Sequence, residues 1–264
     1  MKGKERIDVL LVNRGFFPSR EKAKSSIMAG EVFADGIRID KAGSMVNIDT
    51  EIKIEGKLLP YVSRGGLKLE KALKYFGINP FNKIALDVGA STGGFTDCLL
   101  KNGALKVYSV DVGYGQLDWK LRNDPRVINM ERTNIRYLET LSEMVDIITI
   151  DVSFISLGIV IPSVDKFLKK NGELIALIKP QFEAGREKVG KKGVVKDKIV
   201  HIDVLEKVSK ICKSLSYDII GITYSPIKGP EGNIEYLIYA VKRPPDNKNI
   251  NIPNVVETAH KNLN

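Results

Sequence analysis

The chain has 264 residues, enough for one large domain or two smaller ones, with 43% hydrophobic and 28% charged residues, as in soluble globular proteins. Its 41 Lys and Arg against 32 Asp and Glu leave a net charge of +9, which favours a polyanionic partner such as nucleic acid, although a solvated lysine-rich surface reads the same way. Two distant cysteines exclude a disulfide framework or a zinc spacing, and no apolar run reaches the ~18–20 residues of a membrane span. The start, Met1-Lys2-Gly3-Lys4-Glu5-Arg6, lacks the apolar stretch of a signal peptide, so a cytoplasmic protein without a membrane partner is expected.

Residues 1–59 read as a small α+β unit. Arg6 to Val12 forms an amphipathic helix, and Ser19 caps a second helix that runs to about Ala29 and stops at Gly30. Short β pieces follow at 32–34, 37–39 and 51–54, with Asp35-Gly36 as a hairpin turn. Arg6, Arg14, Arg20, Lys22 and Lys24 place the positive charge of this unit on its two helices, as a solvated helix face also would. The order helix, helix, hairpin, with Arg6, Ser19-Arg20 and Ala23 in place, resembles the S4 RNA-binding domain over roughly residues 6–52. The resemblance implies that those five cations contact RNA.

Pro60 to Gly66 reads as a linker, its glycine pair permitting a change of direction, and a helix follows from Leu67 to Tyr75. From there to residue 243 the pattern alternates. Strand-like runs at 84–88, 106–111, 127–129, 145–151, 173–179, 218–224 and 234–241 enclose helices at 95–102, 115–122, 156–169 and 199–214. Such alternation predicts an α/β domain, residues 67–243, with a mostly parallel sheet covered on both faces. The last two strands lack a helix between them and predict an antiparallel edge hairpin. Residues 244–264, after Pro244-Pro245, are polar and are expected to be a loosely ordered tail.

Ligands of such a sheet bind beyond the carboxyl ends of its strands. The first strand ends in Asp87-Val88-Gly89-Ala90-Ser91-Thr92-Gly93-Gly94-Phe95, a glycine-rich turn that opens into a helix, and the second ends at Asp111-Val112. An acid at Asp111 suits two ribose hydroxyls. A dinucleotide site would share that acid, but its glycine spacing is G-x-G-x-x-G. The spacing here, with Asp87 two positions before Gly89, resembles motif I of S-adenosylmethionine-dependent methyltransferases. That resemblance implies S-adenosylmethionine as cofactor, held by Asp87, Gly89, Ser91, Gly93, Gly94, Phe95, Asp111 and Val112, with Asp87 facing the cationic donor. An NAD-type ligand is the alternative.

The acceptor is read from the later strand ends. Asp151-Val152-Ser153-Phe154 lacks the prolines that amine methylation of bases calls for, and Cys98 and Cys212 read as small core residues rather than nucleophiles. Lys179 ends an apolar strand, where desolvation would move it from its usual ~10.4 towards a usable base for a hydroxyl acceptor. Lys68, Asp151, Lys179 and Glu235 together resemble the Lys-Asp-Lys-Glu tetrad of FtsJ-type RNA ribose 2′-O-methyltransferases. The S4-like unit joined to this domain, Ser63-Arg64-Gly65-Gly66 and Asp111 to Leu117 extend the resemblance to the TlyA-type family over residues 5–243. It implies a Rossmann-like methyltransferase sheet, catalysis by those four residues, and ribosomal RNA or ribosomal subunits as partner, cytidine being the family's target. Arg64 and the basic loop of Arg186, Lys188, Lys191 and Lys192 are further RNA-contact candidates, a mobile solvated loop being the alternative. His201 and His260 read as too isolated for a metal site, and no metal is expected. The alternatives for the whole chain are an S4 RNA-binding protein without turnover, or a membrane-active haemolysin as the family's second label implies.

Overall fold

The computed structural model describes residues 3–17, 19–28, 30–55, 59–246 and 250–263. Its contacts divide the chain into residues 1–59 and 60–264. In the first unit, β1 (Lys4–Arg6) leads directly into α1 (Ile7–Asn13), and α2 (Arg20–Met28) follows. Ser19 Oγ accepts the Lys22 N–H at 3.4 Å at the start of α2, while the expected end at Ala29 lies outside the described residues. β2 (Val32–Ala34) then pairs antiparallel with β3 (Ile37–Ile39). Asp35 and Gly36 between them have φ of 50° and 76°, the left-handed pair that a two-residue hairpin turn requires. β4 (Met45–Asn47) pairs with β1, and β5 (Ile52–Ile54) with β2. β1 and β4 were not anticipated: Lys4-Glu5-Arg6 carries no apolar residue to mark a strand, and Met45-Val46-Asn47 pairs only with it. Ile7, Leu11, Phe17, Ala23, Ile27 and Val32 form the core.

The second unit opens with α3 (Gly65–Phe76), so the glycine pair expected in a linker lies inside a helix. A Cβ on Gly66 would stand 2.3 Å from the Tyr61 ring, so this glycine serves close packing rather than a turn. Alternation then runs as expected through β6 (Ile84–Val88), α4 (Gly94–Lys101), β7 (Lys106–Val110), α5 (Trp119–Arg122), β8 (Val127–Met130), β9 (Val145–Ile150) and α6 (Leu157–Val164). It continues with β10 (Leu168–Ile178), α7 (Pro180–Glu183), α8 (Lys198–Ser214), β11 (Tyr217–Tyr224) and β12 (Tyr236–Lys242). α5 is shorter than expected: Gly115 sits at φ 71°, and Asp118 caps the helix by accepting the Lys120 N–H at 3.0 Å. α6 ends five residues early, and β10 begins at Leu168 rather than at the expected 173, the polar run Lys169-Lys170-Asn171-Gly172 inside the strand disguising its start.

The strand order is β11-β12-β10-β9-β6-β7-β8. β12 runs antiparallel to both β10 and β11, so the final hairpin inserts its second strand into the sheet and leaves β11 at the edge. Leu86, Val88, Ile148 and Ile150 pack with α6 and α8 on one face, while Ala85 and Ile147 pack with α3 and α4 on the other. Cys98 and Cys212 are both buried in these layers.

The tail expected to be loose carries α9 (Ile252–Leu263), which buries Ile252, Val256, Ala259 and His260 and packs on α8 and β11. Those positions fall at i, i+4, i+7 and i+8, an apolar stripe diluted by the asparagines and lysines around it. Among the described residues no helix is long and apolar enough to cross a membrane.

Candidate active site

The carboxyl edge of the sheet is where the glycine loop closes on its neighbours. Gly89 has φ 83°, and a Cβ there would stand 2.4 Å from the Asp151 carbonyl oxygen, so only glycine lets the β6 loop approach the end of β9. A Cβ on Gly94 would lie 2.4 Å from Ser63 Oγ and 2.8 Å from the Gly66 nitrogen, so the starts of α3 and α4 meet through glycines. Gly93, at φ 93°, precedes α4 and packs against Leu121. These approaches leave a cavity of about 510 Å³ bordered by Ser63, Ser91, Phe95, Asp151 and Lys179.

Asp111 follows β7 with both oxygens engaged: Ser91 N–H donates to Oδ2 at 2.8 Å and Gly113 N–H to Oδ1 at 2.7 Å. Its carboxylate is thereby fixed beside the loop. Val112 is 71% exposed. Asp87 departs from expectation. It is fully buried, and its oxygens accept the Thr96 hydroxyl at 2.7 Å and the Thr149 hydroxyl at 3.0 Å. Burial pushes its pKa up to about 7 against the opposing effect of those hydroxyls. Asp87 therefore braces the loop from beneath and does not border the cavity, where the resemblance implied a charge facing the donor. The motif marks the strand end but not which way its acid turns.

The four tetrad positions are brought together. Lys68, from α3, is ion-paired to Glu235 at 2.6 Å, although 167 positions separate them. Lys179, at the end of β10, is ion-paired to Asp151, at the end of β9, at 2.6 Å, and donates to Ser153 Oγ at 2.9 Å. Lys179 is only 9% exposed, with the Asp151 carboxylate in direct contact. Burial raises the Glu235 pKa, with the Lys68 ammonium opposing. Glu235 Oε1 has no hydrogen-bond partner among the described residues and lies under Gly229, where a Cβ would stand 2.2 Å from it.

Two residues beside this cluster were missed. Ser153 shares Lys179 with Asp151, and Phe154, one position on, is 90% exposed with φ 64°. Its ring centroid is 4.9 Å from that of Phe182. An exposed phenylalanine in a left-handed conformation is strained, as residues at functional sites often are. The signal was its place in Asp151-Val152-Ser153-Phe154 at the end of a strand.

The expected RNA contacts are placed unevenly. In the first unit Arg6 and Arg20 both pair with the buried Asp8, at 3.0 and 2.8 Å, and lower its pKa to about 2, the Arg6 hydrogen bond acting most. Arg14 donates to the Thr50 carbonyl at 2.6 Å and to the Ile48 carbonyl. Lys22 and Lys24 are partly buried on α2. In the second unit Arg64 donates to the Lys228 carbonyl at 3.0 Å. Arg186, Lys188, Lys191 and Lys192 are exposed, Lys188 pairing with Asp203 at 3.2 Å. The two histidines are not isolated from each other: His260 Nε2 lies 3.2 Å from His201 Nδ1, which also meets the Tyr236 hydroxyl at 2.7 Å. Their separation of 59 positions hid a contact that the docking of α9 on α8 creates.

Residues 61–242 match the FtsJ-like methyltransferase family, and residues 5–52 match the S4 domain. YqxC of Bacillus subtilis, named for rRNA methyltransferase activity, is 50% identical over 98% of this chain and 95% of its own. The 16S/23S rRNA (cytidine-2′-O)-methyltransferase TlyA of Mycobacterium tuberculosis is 41% identical over 90% of each chain. A solved structure from Streptococcus thermophilus, named as a hemolysin, is 46% identical, superposes with a TM-score of 0.79, and covers 99% of this chain and 98% of its own. The chain therefore belongs to the FtsJ-like methyltransferase family and carries an S4 domain ahead of the methyltransferase domain.

Proposed function

We propose that this FtsJ-like methyltransferase uses S-adenosylmethionine to methylate a ribose 2′-hydroxyl of ribosomal RNA, with cytidine as the target nucleotide. The observation that carries the reading is the pairing of Lys179 with Asp151 on the wall of the glycine-loop cavity, with Lys68 and Glu235 beside it. The cavity suits the donor: the glycine loop borders it through Gly89, Ser91 and Gly94, and the Asp111 carboxylate, which accepts the Ser91 N–H, is fixed beside that loop for ribose hydroxyls. When bound, S-adenosylmethionine supplies an activated methyl group.

The chain's own residues supply position and a proton acceptor. Asp151 and Ser153 occupy two directions around Lys179 Nζ, which leaves the third for the acceptor hydroxyl. As the 2′-oxygen takes the methyl carbon and the bond from that carbon to the donor's sulfur breaks, Lys179 Nζ orients the hydroxyl, whose proton is taken up by the Lys179–Asp151 pair, with the Asp151 carboxylate as the final acceptor. Lys68 and Glu235 hold the neighbouring wall. Fixing the hydroxyl in line accounts for much of the rate, since the donor is reactive before it binds.

Phe154 offers a flat exposed face on which the base of a splayed-out nucleotide can stack. The cations of the S4 domain, Arg64 and the loop from Arg186 to Lys192 hold the RNA through its phosphates, which orients it without reading sequence. Such an enzyme works in the cytoplasm, where ribosomal subunits are found. The test is transfer of a labelled methyl group to rRNA isolated from cells lacking this protein, with the modified nucleotide mapped. Label recovered as a 2′-O-methylcytidine supports the reading, and label on a base or on protein overturns it.

A further inference from the structure

We propose that a second, lysine-lined cavity seats the nucleotide next to the methylated one, with its phosphate held by Lys191, Lys192, Lys196 and Lys228. The inference rests on the RNA reading above. The cavity measures about 750 Å³, and Lys228 borders both it and the donor cavity, so the two are neighbours along the same carboxyl edge of the sheet. Ile234 and His260 also line it.

The wall that carries the lysines is pinned. Asn233, 3% exposed, accepts the Val195 N–H at 3.1 Å and donates to the Gly193 carbonyl at 2.9 Å. His201, fully buried, holds the Val195 carbonyl through Nε2 at 3.0 Å. Asn233 stands two positions before Glu235. The lysine loop is thus registered against the segment leading into β12, which carries Glu235 of the proposed cluster, and a freely solvated loop would not need this.

The charge balance points the same way. Lys188 has Asp203, but among the described residues Lys191, Lys192, Lys196 and Lys228 have no carboxylate partner. Glu231 is the acid that lines the cavity with them. Like charges gathered around a concavity repel unless an anion enters. A phosphodiester supplies that anion, and the apolar side chains of Val194 and Ile234 leave a surface for the attached sugar and base.

The experiment compares the wild-type chain with Lys191→Ala/Lys192→Ala/Lys196→Ala, three lysines that border the second cavity and not the donor cavity. Methyl transfer to deproteinised rRNA gives KM, and filter retention of the same RNA across a salt series gives the slope of log K against log salt. The expected result is an RNA KM at least about tenfold higher and a slope shallower by about two, with the affinity for S-adenosylmethionine unchanged. Restoration of both by the corresponding Lys→Arg triple variant supports charge rather than packing. Wild-type KM and slope in the alanine variant would overturn the proposal. If the wild-type chain itself transfers no methyl group, the proposed function fails instead, and the salt slope alone still decides whether this cavity holds phosphate.

Discussion

The S4 domain and the methyltransferase domain both hold cations with buried acids, but at different depths. In the S4 domain Asp8 is fully buried while the arginines it holds, Arg6 and Arg20, keep side chains 48% and 47% exposed. In the methyltransferase domain Lys68 and Lys179 are each only 10% exposed at the side chain, and Glu235 and Asp151 are 0% and 19% exposed. The first arrangement orients charge outward for a partner to meet. The second closes charge inward, where a weakened dielectric makes each interaction stronger and each unpaired group more costly. The proposed RNA contacts and the proposed reaction centre both rest on ion pairs, and burial of the cation separates them.

The contrast breaks first at Lys68. Lys68→Ala should strand the buried Glu235 carboxylate and destabilise the methyltransferase domain by about 3–5 kcal/mol at neutral pH. Because burial already raises the Glu235 pKa, that penalty should shrink as the pH falls and the carboxyl takes up a proton. Urea unfolding of the variant at several pH values measures both. A penalty independent of pH would mean that Glu235 does not carry the cost.

Acid should separate the two domains in the wild-type chain. Both histidines of the chain lie in the methyltransferase domain, and burial lowers the pKa of His201 to about 4. The unfolded chain therefore binds this proton from about pH 6.5 downward, whereas the folded one resists it until about pH 4. Stability should fall by about 3 kcal/mol across that window, and His201→Gln should flatten the decline. Asp8, held near pKa 2 by its arginines against 3.8 unfolded, costs the S4 domain stability only as the pH falls from about 3.8 towards 2, below the window of His201. Domain-resolved amide exchange would show the methyltransferase domain loosening first.

Asp87 sharpens the comparison from the other side. It is a buried acid without a cation, with pKa about 7 against 3.8 unfolded. Stability is lost as pH rises between those values. Asp87→Asn should therefore be more stable than wild type at pH 8, by up to about 4 kcal/mol, with the gain vanishing near pH 4. The smallest effect is expected at Ser153. Ser153→Ala removes one of two acceptors of Lys179 and should lower turnover severalfold, about 1 kcal/mol of activation free energy, without changing donor affinity.

The parallel core was legible because strands buried on both faces read as continuous apolar runs, as Leu174 to Ile178 does. The tetrad was legible only through resemblance. Nothing local ties Lys68 to Glu235, and the fold closes 167 positions between them. What stayed hidden was direction and docking. Asp87 belongs to a recognisable motif yet turns away from the cavity, because Thr96 and Thr149 receive it below. The helix from Ile252 to Leu263 and the His201–His260 contact depend on a surface that only the folded sheet provides.

The central claim is that the inward cluster does chemistry on ribose. It is tested most directly by mapping 2′-O-methyl groups in the rRNA of cells that lack this protein and are supplied with either the wild-type chain or Lys179→Ala. The account predicts a 2′-O-methylated cytidine with the wild type and, with Lys179→Ala, at least about a 1000-fold slower transfer in vitro at unchanged donor affinity. The same methylation at wild-type rate from Lys179→Ala would contradict it.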